Sequence, residues 1–247
     1  MRSATEDDQK IKSLYRAAFQ RAPDRDELLL AKDYFAAQKL ATNSTVGEPL
    51  VWQYGYGAFD EATARVKTFK ALPHFKDGSW QGGKDLPDAK VGWVILNAEG
   101  GHAGDDAQRA AIRRWRAPRD GAIKITGRLV HSTTNGDGVR GRIVSSANGQ
   151  LGEWVSYNTK ATTNVERVEV KRGDTIDFVT DCRASVNSDS FTWAPTIRYA
   201  GVGEGKTDEK WNAKADFSGP RKEFKPLTPW ERYAQALLLS NELMFVD

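Results

Sequence analysis

The chain has 247 residues, 39% hydrophobic, 28% charged and 10% aromatic, and its 36 Lys and Arg against 33 Asp and Glu leave a formal charge of +3. That composition excludes a disordered, collagen-like or coiled-coil chain, and charges so evenly mixed argue against a nucleic-acid surface, which needs a concentrated basic face. Cys182, the one cysteine, excludes an internal disulfide and a Cys-based zinc cluster, and His74, His102 and His131 lie too far apart for a His-rich metal centre.

No apolar run approaches the roughly 20 residues of a membrane helix. No metal, cofactor or membrane span is therefore expected. The opening Met1-Arg2-Ser3-Ala4-Thr5-Glu6-Asp7-Asp8 has neither the apolar stretch nor the small-residue site of a secretory signal. A complete chain of this kind is expected to be cytoplasmic.

Residues 1–45 read as a helix pair. Ile11, Leu14, Tyr15, Ala18 and Phe19 form one apolar stripe at helical spacing. Ala22-Pro23-Asp24 breaks it, and Asp24 with Glu27 makes an acidic variant of the capping box. The second helix carries Leu28, Leu29, Tyr34 and Phe35. Two such short helices need a partner to cover their stripes.

Over residues 46–203 the apolar period changes to two. Trp52, Tyr54 and Tyr56 alternate, then Trp93, Ile95 and Asn97, then Ile123, Ile125, Gly127 and Leu129, then Val139, Gly141 and Ile143. Asn148-Gly149 is a hairpin signal, followed by Trp154 and Val155. Val168 and Val170, Ile176 and Phe178, and the run from Phe191 to Tyr199 complete the set, with Pro195 marking an edge or bulge. Gly78, Gly82 and Gly83 predict a loop, and residues 104–112 a short helix before Trp115. Short strands separated by turn residues predict an antiparallel sandwich.

Residues 204–226 are polar and predict a linker. Residues 227–247 begin with Thr228-Pro229-Trp230-Glu231, a capping box with Pro at the first helical position. Trp230, Tyr233, Ala234, Leu237 and Leu238 follow as an apolar stripe. The expected fold is mainly β with flanking helices. A jelly-roll-like antiparallel β-sandwich is inserted between the N-terminal helix pair and a C-terminal helix that returns to complete the helical layer.

Leu14-Tyr15-Arg16-Ala17-Ala18-Phe19-Gln20-Arg21-Ala22-Pro23-Asp24 and the ending from Trp230 to Glu242 resemble the two ends of one family. These are the planctomycete-type cytochrome c-associated proteins, which carry paired domains of unknown function. The chain resembles the C-terminal part of the second such domain. Gly100-Gly101-His102, Arg114-Trp115-Arg116-Ala117-Pro118, Gly136-Asp137-Gly138-Val139 and Asp189-Ser190-Phe191-Thr192-Trp193-Ala194-Pro195 resemble a carbohydrate-binding-like sandwich carried between those ends. The resemblance implies an exported, extracytoplasmic parent with upstream domains as partners. It implies no haem here, because Cys-x-x-Cys-His is absent.

No Gly-x-Ser-x-Gly and no Gly-x-x-x-x-Gly-Lys-Ser/Thr occurs. Glu99, Asp105, Asp106, Glu153 and Asp189 offer carboxylate pairs for a glycan hydrolase, but spacing alone does not bring two together. Eight Trp is a heavy aromatic load. A rigid indole stacks on the apolar face of a sugar with little entropy loss. Trp80, in the predicted Gly-rich loop, is the first stacking candidate and Trp154 the second, while Trp52, Trp93, Trp115 and Trp193 are assigned to the core. His102, after two glycines, either meets a ligand or bonds locally. Arg114 and Arg116 either read an anionic glycan or form a solvated face. Asp137 and Asp189 either present oxygens to a ligand or Ca²⁺, or serve as turn residues. The reading is a non-catalytic polysaccharide-binding module. A structural packing domain and a hydrolase acting on glycans or their esters are the alternatives.

Overall fold

The computed structural model describes residues 4–41, 50–200, 209–221 and 227–240. The chain divides into two units, one made of residues 1–49 with 222–247 and one of residues 50–221.

The first unit contains helices α1 (Ala4–Phe19), α2 (Arg25–Ala41) and α3 (Pro229–Leu238). Their stripes bury one another: Ile11 and Tyr15 of α1, Ala31 and Phe35 of α2 and Leu237 of α3 form a single cluster. The Phe35 and Trp230 rings stack at 4.0 Å. Both local caps form. Asp24 Oδ1 accepts from the Glu27 N–H at 2.8 Å while Glu27 accepts from the Asp24 N–H at 2.7 Å, and Thr228 and Glu231 make the reciprocal pair on α3.

The second unit is an antiparallel sandwich. Its six-stranded sheet runs Gly149–Ser156, Val139–Ser145, Thr175–Asp181, Ala110–Arg116, Trp52–Gly57, Lys70–Ala71. A seven-stranded sheet runs Thr159–Thr162, Arg128–His131, Ser190–Thr192, Gly100–His102, Ile95–Asn97, Ser79–Gln81, His74–Lys76. A four-stranded sheet runs Val165–Val170, Gly121–Thr126, Thr196–Tyr199, Lys210–Asn212.

The last two sheets share three chain segments, each broken where it passes from one to the other. Pro195 sits at one break, between Ser190–Thr192 and Thr196–Tyr199, where its missing N–H leaves no ladder bond unmade. Gly127 sits at another, so close to Thr163 that a Cβ would lie 2.9 Å from the threonine hydroxyl. Trp193 fills the same seam and donates its indole N–H to Thr163 Oγ1 at 2.9 Å. The main core lies between the layers, with Trp52, Trp115, Ile143, Phe178, Leu129, Phe191 and Ile197 in one cluster.

Four local expectations change. Trp80 is not in a loop but in the strand Ser79–Gln81, and Trp93 is 45% exposed rather than core. Residues 104–112 form only a single 3-10 turn, Ala107–Arg109, before the strand begins at Ala110. The described part of the expected linker, residues 209–221, holds the strand Lys210–Asn212 and packs Trp211, Ala213 and Phe217 on the sandwich core.

The outer face of the six-stranded sheet buries ions. Arg142 is 1% exposed and bonds Asp181 at 2.7 Å, Glu153 at 2.7 Å and Glu61 at 2.5 Å, with Phe59 stacked on its guanidinium at 4.3 Å. Arg140 also reaches Asp181, at 3.1 Å. Removing one partner of a buried set strands the other, whereas an exposed pair contributes little. Arg142→Ala is therefore expected to lower unfolding stability in urea by about 3–5 kcal/mol. Arg167→Ala, which loses only an exposed bond to Glu169, should change it by less than about 0.5 kcal/mol.

Candidate functional site

The seven-stranded sheet has one face on the core and one outside, and the register separates them. Phe75, Trp80, Leu96, Gly101 and Phe191 stand opposite one another, and Leu96 and Phe191 lie in the core cluster. His74, Gln81, Ile95, His102 and Ser190 form the adjacent row. Side chains alternate along a strand, so this second row faces outward. Trp93, two residues before Ile95, stands beside it with its ring 6.2 Å from that of His102. His102 donates Nδ1–H to its neighbour's carbonyl, Ala103 O, at 2.6 Å, which leaves Nε2 as the acceptor of the neutral ring. Next to Ser190, a groove of about 280 Å³ is lined by Val130, Ser132, Thr133, Ser190, Phe191 and Thr192. An exposed indole, an imidazole and a row of hydroxyls thus share one surface.

Where this face ends, the loops 132–138 and 183–189 pack together. A Cβ on Gly136 would lie 2.0 Å from the Asn187 carbonyl, which is why glycine stands there, at φ +75°. Asp137 accepts the N–H groups of Ala184 and Ser185, each at 3.2 Å. His131, fully buried, donates Nε2–H to the Ser188 carbonyl at 2.9 Å and accepts the Asn158 N–H on Nδ1. Arg183 and Ser188 both hold positive φ, at 58° and 66°.

Asp189 closes the loop and is 0% exposed, and neither of its carboxylate oxygens has a hydrogen-bond partner. Burial, and then the negative charges of Asp137 and Asp181, push its carboxyl up to about 7. The buried Cys182 thiol is pushed up to about 11 by desolvation and then by Asp189.

Of the seven residues singled out in the sequence, three come together here: His102 on the outer face, with Asp137 and Asp189 in the adjoining loops. The other four do not join them. Trp80 packs its ring on Tyr54 and Phe75 and donates its N–H to the Ser218 carbonyl at 2.9 Å, so it serves as an anchor. Trp154 stands opposite Gly141, half-buried against the core, with its ring over Gly152. Arg114 makes a bidentate bond to Asp177, at 2.6 and 2.9 Å, under Phe69 on the other sheet. Arg116 pairs with Thr175, at the opposite end of the strand Thr175–Asp181 from the Asp189 loops, a strand length of about 20 Å away.

The carboxylates considered for hydrolysis are mostly engaged elsewhere. Glu153 bonds Arg142, Glu99 pairs with Lys214, and Asp106 caps the 3-10 turn. Sequence reasoning missed Trp93 as an exposed ring and His131 as the loop's tether. The outward set Trp93, Ile95 and Asn97 does contain a polar member, the one local sign of its orientation.

No family model and no curated protein matches the sequence. Among solved structures, the chain is similar to a family 35 carbohydrate binding module from an environmental isolate, at 16% identity and a TM-score of 0.28, covering 48% of this chain and 82% of that one. It is also similar to the C-terminal CBM6 of LamC, a marine laminarinase from Zobellia galactanivorans, at 19% identity and a TM-score of 0.23, covering 36% and 72%. The PA14 sugar-binding domain of an RTX adhesin matches at 10% identity and a TM-score of 0.32, covering 67% and 97%.

The unpartnered carboxyl gives the fold a pH dependence of definite sign. Folded Asp189 keeps its proton to about pH 7, whereas the unfolded chain releases it near 3.9. The folded state therefore binds more protons in that window, and stability falls as pH rises through it. In metal-free buffer, Asp189→Asn should remove this slope and be more stable than the parent at pH 8 by on the order of 2 kcal/mol. Urea melts of both chains between pH 5 and 8 check this, and parallel slopes would refute it.

Proposed function

We propose that this chain is a non-catalytic module that binds polysaccharide on the outer face of the seven-stranded sheet. The observation that carries the reading is the 45% exposed Trp93 beside His102 and a hydroxyl-lined groove. A sugar ring presents C–H groups on its face and hydroxyls on its edge. Trp93 offers a rigid apolar platform for the first, and His102 Nε2 with Ser190, Ser132 and Thr192 offers hydrogen-bonding partners for the second. From the strand Gly100–His102 across Ser190–Thr192 to Arg128–His131 is two strand spacings, about 10 Å. A surface of that width accommodates more than one ring of a chain.

Arg114 is committed to Asp177 on the other sheet, and Arg116 lies on that sheet too. A neutral polymer is therefore favoured over the anionic glycan those arginines suggested. The module serves a larger exported protein, consistent with the resemblance of its two ends. No described helix is long and apolar enough to cross a membrane.

One observation favours a packing role for the helical unit in addition. Leu29 and Leu30 of α2 are 58% and 68% exposed, and Leu238 and Leu239 at the end of α3 are 53% and 71% exposed. Exposed leucines on each of two helices suit further helices of a parent protein.

A glycan array spanning neutral and sulfated polysaccharides tests the binding reading. A neutral polymer should bind, Trp93→Ala should weaken it at least tenfold, about 1.4 kcal/mol, and Trp80→Ala should lower the melting temperature instead. Absence of binding to every polymer, or unchanged binding by the Trp93 variant, would sink the proposal.

A further inference from the structure

Of the acids Glu99, Asp105, Asp106, Glu153 and Asp189, only Asp105 is both exposed and unengaged: among the described residues it makes no hydrogen bond or ion pair. Its position is nonetheless fixed. On one side Gly104 is buried and donates its N–H to the Arg109 carbonyl at 3.1 Å. On the other, Asp106 accepts the Gln108 N–H at 2.9 Å and pairs with Arg109 at 3.4 Å. The Asp105 carboxylate lies over Gly92, where a Cβ would come as close as 2.1 Å to Oδ2 and 2.2 Å to Oδ1. Gly92 is bonded to Trp93, and consecutive Cα atoms are about 3.8 Å apart, so the carboxylate stands within about 8 Å of the Trp93 Cα. The turn that carries Trp93 is also held. Asp88 and Gly92 exchange both main-chain hydrogen bonds at 2.8 Å, and Asp88 Oδ1 accepts the N–H groups of Lys90 and Val91. Val91 and Val94, near the exposed ring on either side in sequence, are buried. An indole and an acceptor pair are thus each presented by a fixed backbone, so a ligand bridging them costs little ordering entropy.

Resting on the polysaccharide reading, we propose that Asp105 is the specificity residue of this face, its two oxygens accepting hydrogen bonds from adjacent hydroxyls of a sugar whose ring lies on Trp93. A carboxylate accepts and does not donate, and it offers its two acceptor oxygens as a pair. His102 Nε2 is an acceptor as well, because Nδ1–H is given to the Ala103 carbonyl. A surface of acceptors calls for a ligand that donates, as a hydroxyl does and a sulfate or a carboxylate does not. The charge of Asp105 also repels an anionic polymer, an argument separate from the placement of Arg114 and Arg116. Hydrogen bonds to an ionised acceptor are roughly twice as strong as those between neutral groups. Asp105, more than the hydroxyls of Ser190, Ser132 and Thr192, therefore decides which sugar is held. The polymers selected are neutral ones whose linkages leave two adjacent hydroxyls on each residue.

Affinity electrophoresis of the full chain tests this. One set of gels holds deacetylated glucomannan, whose linkages leave adjacent hydroxyls on every residue, and the other laminarin, whose linkages leave none on its interior residues. The parent is expected to bind glucomannan about tenfold more tightly than laminarin. Asp105→Ala should lose about tenfold on glucomannan and nothing on laminarin. It should also melt with the parent, because Asp105 makes no bond within the described fold. Asp105→Asn keeps the shape and one acceptor oxygen, so it should fall between the two, and it decides the matter should the alanine variant fail to fold. Equal affinity of the parent for the two polymers, or glucomannan binding unchanged in both Asp105 variants, would overturn the proposal. Binding that Trp93→Ala weakens and Asp105→Ala does not removes this inference and leaves the polysaccharide reading standing. Absence of binding to any polymer removes both.

Discussion

A charge taken out of water has to be neutralised where it stands, and the layout of this sandwich follows from that constraint. Arg142 lies under the hairpin formed by Phe59–Asp60 and Arg65–Val66, and its bonds to Asp181, Glu153 and Glu61 draw strand and hairpin onto the sheet. Desolvating such a set costs several kcal/mol, recovered only if every member is paired. The arrangement therefore admits little movement at Asp181, and Asp181 is the residue from which the chain enters the 183–189 loop. Fixing the network fixes the root of that loop.

The other face of the same sheet solves the problem differently. Arg113 points into the core, is 2% exposed, and has no carboxylate partner among the described residues. It donates to the carbonyls of Asn97 at 2.5 Å, Ala98 at 3.5 Å and Gly100 at 3.4 Å, and burial draws its guanidinium down to about 10. Three carbonyls from one turn are thereby held at a fixed height above the six-stranded sheet. That turn joins Ile95–Asn97 to Gly100–His102, the two strands beside Trp93. The glycines of Gly100-Gly101-His102 make room for their neighbours rather than for a ligand. A Cβ on Gly100 would lie 2.0 Å from the Phe191 carbonyl, and one on Gly101 2.0 Å from that of Ile95.

What the sequence disclosed was whatever is decided locally. Capping boxes at Asp24 and Thr228 were legible because both partners sit three residues apart, and Pro195 marked a break because proline lacks an N–H. Period two located the strands but did not say which set of residues faces the core. Trp93, Ile95 and Asn97 do alternate, as read, yet it is Val94 and Leu96, at 0% and 2% exposure, that are buried. The assignment of Trp93 to the core was thus wrong in sign though right in period. Trp80 failed for the opposite reason, since three residues among glycines show no period, and its burial is fixed by Phe75 and Tyr54. The strand Lys210–Asn212 is equally short and polar-flanked, and only its pairing with Thr196–Tyr199 makes it one. Asp189 looked like a turn residue, and nothing near it in sequence signals that its oxygens are enclosed without partners.

The outer face and the buried carboxylate are joined by covalent adjacency. Asp189 immediately precedes Ser190, which stands opposite His102, and the Asp189 carbonyl accepts the Ala103 N–H at 3.4 Å. The main chain is thus held at both of these points, beside the Ser190 hydroxyl and the His102 ring. His131 restrains the same loop from the other side through Ser188. The residue whose carboxylate is buried without a partner therefore adjoins the strand that carries the groove. A loop with Arg183 and Ser188 both in the left-handed region has stored backbone strain to release. An unneutralised carboxylate would add electrostatic cost to that strain in the same seven residues.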